Sequence, residues 1–263
     1  MLRPKLLGLL LYITAMRAAE IQPGTLDRLI EANRKAWDVP GVAVAIVSGD
    51  DVVYIKGFGV KRAGSSAPVT PDTRFAICST TKAFTTAAMG ILVDDGKMNW
   101  DDPVRKHLPY FKLSDPLADA NVTMRDLVSH RSGMSSHDWL WMNSTWSREE
   151  IIRRIGIVPL YRPFRAEFEY SNTMFLAAGE AVGFAAGKTW EEFVASRLLA
   201  PLGMNNTDFS VKDVMKSADH ATPHLRREGI NEAVKWYNLD KVAAAGGINS
   251  SDRKSTRLNS SHG

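Results

Sequence analysis

The segment Val42–Tyr54 is the one place where two β-rich runs lie side by side, and almost everything after residue 80 has helical spacing. Val42–Val47 and Val52–Tyr54 are separated by Ser48-Gly49-Asp50-Asp51. Gly and Asp supply the backbone conformations of a tight reversal, so the two runs read as a hairpin. One more β-like stretch lies near Arg74–Ile77. Ahead of the hairpin, Thr25–Trp37 carries Leu26, Leu29, Ile30 and Ala32 at helical spacing, and Pro40-Gly41 ends it. Helix, two or three strands, then many helices is the order of an α/β lobe with a helical lobe inserted into it. The strands are few for such a sheet.

The helical part carries its own punctuation. Thr80–Asp95 is a long apolar-rich helix closed by Gly96 as a C-terminal cap. Thr123 is placed to cap Met124–His130. Ser147 with Glu150, and Thr189 with Glu192 before Phe193–Leu199, have the spacing of capping boxes. Asn172–Ala186 reads as a second long helix, rich in small residues, and Pro201-Leu202-Gly203 breaks the chain.

Charge excludes one class of function. The 263 residues carry a formal +4, but Arg3, Lys5 and Arg17 contribute +3 of it. Arg253, Lys254 and Arg257 against Asp252 contribute a further +2, which leaves residues 20–251 at −1. No basic stripe with interleaved aromatics is present, so no nucleic-acid partner is expected. Hydrophobic content of 44% is enough for a sizeable core.

The two ends read differently from the middle. Arg3 and Lys5, the short apolar run Leu6–Met16, and Ala18-Ala19 have the layout of a secretory signal peptide over residues 1–19, which predicts a periplasmic or secreted protein. No stable membrane span is expected. The string Asp252–His262, DRKSTRLNSSH, matches a translated frame of a common sequencing adapter. Residues 252–263 are therefore read as a scar, and the natural product is expected to continue past Ser251. The single cysteine, Cys78, permits no internal disulfide.

Ser79-Thr80-Thr81-Lys82 is an S-x-x-K motif at the head of the long helix. Positions i and i+3 share a helical face, so the hydroxyl and the amine can meet. Serine is a poor nucleophile without a base beside it, and a lysine whose pKa is lowered by burial can serve. Alone the motif is weak: Ser251-Asp252-Arg253-Lys254 matches too, and a plain N-cap with a solvated lysine would look the same. Tyr170-Ser171-Asn172 is the second element. A phenol can relay a proton beside a cation, and an amide can orient a substrate carbonyl. In isolation these read more simply as a half-buried Tyr and an Asn helix cap.

Together the motifs carry a resemblance. Phe75–Lys82, Leu127–Met134 (LVSHRSGM), Tyr170–Asn172, Pro201–Met204 (PLGM) and Ala245–Ser251 (AGGINSS) resemble, in order, segments of the serine β-lactamase and penicillin-binding protein superfamily, on its class C and esterase side. The resemblance covers residues 25–251. It implies a β-lactamase-like α/β (α+β) fold: an antiparallel sheet flanked by helices, an inserted all-helical lobe, and C-terminal strands missing from this chain. It implies catalysis by Ser79, Lys82 and Tyr170, substrate binding by Asn172, and neither cofactor nor metal. It implies a small-molecule ester, β-lactam or D-amino-acid peptide as substrate, and leaves oligomeric state open. The family's K-T-G or H-x-G motif is absent, since Lys188-Thr189 is followed by Trp190; this is expected if the chain is truncated.

Other readings are weaker. Cys78 reads as a packing residue rather than a nucleophile. His130 reads as a loop cap or packing residue. His220 and His224 have i,i+4 spacing, but Pro223 argues against a helix there. No G-x-S-x-G elbow is present. A non-catalytic binding or sensor module would keep the same fold, and a chain short of strands is expected to be poorly soluble and inactive.

Overall fold

The computed structural model describes residues 23–49 and 51–251. The signal-peptide reading of residues 1–19 and the scar reading of residues 252–263 lie outside the described residues. In chain order the elements are α1 (Pro23–Ala36), β1 (Gly41–Ser48), β2 (Asp51–Gly59), β3 (Phe75–Ala76) and a 3₁₀ turn (Cys78–Thr80). There follow α2 (Thr81–Asp94), α3 (Val104–His107), α4 (Pro116–Asn121), α5 (Met124–Val128), a 3₁₀ turn (Asp138–Leu140) and α6 (Arg148–Ile155). Then come α7 (Asn172–Ala186), α8 (Trp190–Val194), α9 (Val211–Val214), β4 (His224–Arg227), β5 (Ile230–Ala233), α10 (Ala243–Gly246) and β6 (Asn249–Ser250).

β1 and β2 form the expected hairpin, antiparallel from Gly41 opposite Gly59 to Ser48 opposite Asp51. The second strand continues past Tyr54, because Lys56 and Phe58 keep the alternation going. α1 is tied to it through Asp27, which accepts from the Tyr54 hydroxyl and the Lys56 amine, each at 2.6 Å. β3 pairs antiparallel with β6, Phe75 opposite Ser250. All the helices from α2 to α10 lie between those two strands in sequence, which is the insertion expected of the helical lobe.

That lobe holds the main core: Phe84, Met89 and Leu92 of α2, Leu127 of α5, Ile151 and Ile152 of α6, and Met174, Leu176 and Val182 of α7 are buried. α7 is apolar almost all round, as a helix enclosed by others must be. Its small residues set the packing distance. A Cβ built on Gly179 would stand 2.4 Å from the Ala244 Cβ, so α10 lies directly against α7 only because residue 179 has no side chain.

Local differences from the sequence reading have physical causes. The helix after Thr123 stops at Val128, because His130 takes a left-handed φ of 54°. At α6, Ser147 accepts from the Glu150 N–H, but the Glu150 carboxylate turns to Arg154 at 2.8 Å, so the box is half formed. Thr189 and Glu192 form the full box. The π-helical segment Ala195–Leu199 extends α8. The hairpin β4–β5 was not anticipated; Glu228 and Gly229, at φ 49° and 83°, make its turn.

Candidate active site

Four elements deliver the site. The 3₁₀ turn carries Ser79 and runs into α2, which places Lys82 one turn further along. α7 begins at Asn172, with Ser171 as its N-cap accepting from the Met174 N–H, and Tyr170 just ahead. α10 brings in a backbone carbonyl from the far end of the sequence. All four residues singled out from the sequence are brought together. The Ser79 Oγ is 2.6 Å from the Tyr170 Oη and accepts from the Lys82 Nζ at 3.1 Å. The Lys82 Nζ also donates to the Asn172 Oδ1 at 2.9 Å and the Ala245 carbonyl at 2.8 Å.

Electrostatics suit an activated serine. Lys82 is buried, 8% exposed, while Ser79 is open to solvent. Desolvation holds the Lys82 amine below the usual lysine range; Tyr170, Asp138 and Cys78 act in the opposite direction. The ammonium lies 4.7 Å from the Tyr170 ring centroid and 5.3 Å from that of Phe175. The arrangement can remove a proton from the serine hydroxyl and return one to a leaving group.

His130 forms a shelf under the phenol. Its ring stacks on Tyr170 at 4.5 Å, and its Nδ1 accepts from the Ser171 N–H at 3.1 Å. Burial first, and the nearby Lys82 second, lower its pKa to about 4. The ring is therefore neutral at pH 7, with its proton on Nε2. The packing role expected of His130 is the one it has.

The cleft at Ser79 is small, about 70 Å³, and mostly apolar: Trp141, Leu239, Val242, Ala245 and Gly246 line it with Cys78 and Asn172. Cys78 differs from expectation, since it is exposed on the cleft rim rather than packed. Its φ of 46° turns the chain into the 3₁₀ segment. His224 accepts from the Ala63 N–H and His220 is bonded to the Ser217 carbonyl, so both serve local structure. Among the described residues, no group of three or more His, Cys, Asp or Glu is placed to hold a metal, and no helix is long and apolar enough to cross a membrane.

The sequence reading missed Asp138 and the Ala245 carbonyl, whereas Trp141, one of the tryptophans it reads as core or cleft wall, does line the cleft. A lone acid in the aromatic run Asp138-Trp139-Leu140-Trp141 was a signal for the first. A backbone acceptor 163 residues from its donor leaves no signal in residue types.

A serine at the head of a buried helix, with a lysine one turn on and a tyrosine and asparagine brought over it at the start of the next long helix, is the arrangement of the β-lactamase and penicillin-binding protein superfamily of serine hydrolases. The chain belongs to the Beta-lactamase family, whose model matches residues 26–258. A curated relative, the "Unguisins hydrolase ungD'" of Aspergillus campestris, is 34% identical over 240 residues, covering 87% of this chain and 43% of that protein. The chain thus spans under half the length of the curated relatives it matches. The octameric penicillin-binding protein homologue from Pyrococcus abyssi superposes with a TM-score of 0.74 at 28% identity, over 90% of this chain and 55% of that one. The D-amino acid amidase from Ochrobactrum anthropi SV3 gives 0.72 at 26%, over 87% and 66%.

Proposed function

We propose that the protein to which this chain belongs cleaves an ester or amide through an acyl-enzyme on Ser79. The observation that carries the reading is the pair of contacts on one hydroxyl, 2.6 Å to the Tyr170 Oη and 3.1 Å to the Lys82 Nζ. In the forward step the Ser79 Oγ attacks a carbonyl carbon while its proton passes to the Lys82–Tyr170 pair. The Ser79 N–H supplies one donor to the oxyanion that forms. The tetrahedral intermediate then expels an alcohol or amine, which takes the proton back. Water attacks the acyl-enzyme by the reverse use of the same pair. Asn172 orients the substrate carbonyl. Small esters, β-lactams and D-amino-acid peptides all suit this chemistry, and an amidase and a hydrolase among the relatives support an acyl-transfer reading. The N-terminal pattern supports export to the periplasm or medium.

Turnover of p-nitrophenyl acetate and nitrocefin, with intact-mass detection of the acyl-enzyme, tests the proposal. Ser79→Ala is expected to abolish both turnover and adduct. Turnover that survives Ser79→Ala would overturn it, and an adduct on Ser79 that never hydrolyses would favour a sensor instead.

A further inference from the structure

Asp138 plays no part in the scheme above, yet it stands directly behind Asn172. It opens the 3₁₀ turn Asp138–Leu140, and His137 before it holds a left-handed φ of 41°, a conformation that costs energy outside glycine. One carboxylate oxygen, Oδ1, accepts from two donors: the Asn172 Nδ2 at 3.3 Å and the Trp141 Nε1 at 3.0 Å. An asparagine amide has a donor end and an acceptor end. With its NH₂ drawn to Asp138, Asn172 must turn Oδ1 toward the Lys82 Nζ, the 2.9 Å contact seen. The flipped amide would set NH₂ against the amine and carbonyl against carboxylate, and both contacts would be repulsive.

We propose that Asp138 is a positioning residue that fixes the orientation of the Asn172 amide, and through it the stance of Lys82 at Ser79, while its second bond holds Trp141 as the wall of the acyl cleft. This rests on the acyl-transfer reading of Ser79. One consequence concerns the substrate. One Nδ2 hydrogen of Asn172 is committed to Asp138, so a bound carbonyl is held by the single hydrogen that remains. A second concerns pH. Lys82 faces Tyr170 and Asn172 at the start of α7, Cys78 and Ser79 in the 3₁₀ turn, His130 behind the phenol, the Ala245 carbonyl of α10, and Asp138. Removing the Asp138 charge withdraws support from the ammonium form, so the limb on which Lys82 loses its proton moves to lower pH.

The test is the second-order rate of Ser79 labelling by a fluorophosphonate probe, followed by intact mass from pH 5 to 10. The chains compared are the wild type, Asp138→Ala, Asp138→Asn, Asn172→Ala and the Asp138→Ala/Asn172→Ala double variant, each checked by thermal melt. Asp138→Ala is expected to label about tenfold more slowly, the scale of one charge-assisted hydrogen bond, with its rising limb displaced to lower pH. Asp138→Asn keeps an acceptor but not the charge, so it recovers part of the rate and keeps the displaced limb. The double variant should lose less than the two single losses combined, because the orienting part of the effect passes through that amide, while the displaced limb, which comes from the charge, persists. In ¹H–¹⁵N spectra of Asp138→Ala, the Trp141 indole and Asn172 amide resonances should move. Wild-type rate with an unmoved limb, full additivity with Asn172→Ala, or unmoved resonances would each overturn the proposal. If wild-type Ser79 resists the probe, the acyl-transfer reading fails, and the spectra still decide the placement of Asp138.

Discussion

From Gly41 to Val47 every residue of β1 is half-buried, whereas nine of the fifteen residues of α7 are buried. The two regions are built from equally apolar residues but are used differently. The hairpin has helix α1 tied on by the Asp27 bonds and, among the described residues, carries only Phe58 into the buried set. α7 is surrounded, and Lys82 and Asn172 are delivered by the two helices that meet inside the surrounded part. A site that must hold a desolvated lysine within about 3 Å of a hydroxyl belongs on elements whose rotamers are locked by packing.

The comparison can be broken at several points. The largest effect is expected at Asp126, which is fully buried and joined to Arg131 at 2.5 Å and Arg165 at 2.7 Å, and which also caps Thr123. Asp126→Ala should cost about 3–5 kcal/mol in urea unfolding, since it leaves two arginines and a helix start unpaired. Next, Met174→Ala in α7 should cost about 2–5 kcal/mol, while Val44→Ala in β1 should cost about 1 kcal/mol or less. Equal losses would show that the hairpin is as firmly packed as the lobe. Gly179→Ala forces α10 away from α7 and carries the Ala245 carbonyl off the Lys82 amine, so labelling of Ser79 should fall by more than stability does.

A smaller effect is expected from acid. Burial holds the folded-state pKa of His130 at about 4, below the usual histidine value of 6.5. The unfolded chain therefore takes up the proton first, and the contribution of neutral His130 is intact above about pH 6.5 and is lost as the pH falls toward 4. His130→Asn should flatten that part of the stability profile. The smallest effect is in native-state hydrogen exchange, where amides of β1 should open before those of α7. Slower exchange in the hairpin would reverse the ranking of the two regions.

Much of this arrangement was legible in the sequence where the signal is local. The spacing of Ser79 and Lys82, the cap at Thr189, and the small-residue run of α7 all act within a turn or two of the chain. The β4–β5 hairpin was not legible, because His224–Ala233 is short and mostly polar, and its turn depends on Glu228 adopting a positive φ. Glu150 illustrates another limit: the capping spacing was right, but Arg154 one turn on competed for the same carboxylate and holds it. Asp138 was passed over because its importance lies in the two side chains it binds, one of them 34 residues away.

The carbonyl of Ala245 that accepts from Lys82 lies 163 residues downstream of it. A ribosome adding about 5–20 residues per second needs roughly 8 to 33 s to cover that span. For that interval the nascent chain holds a serine and a lysine but lacks the acceptor that helps to keep the amine out of water. The hydrogen-bonded cluster around Lys82 is thus completed last, after α7 has been made and its core partners are available. The order of synthesis therefore sets Ser79 and Lys82 in place well before the carbonyl that completes their hydrogen-bonded cluster.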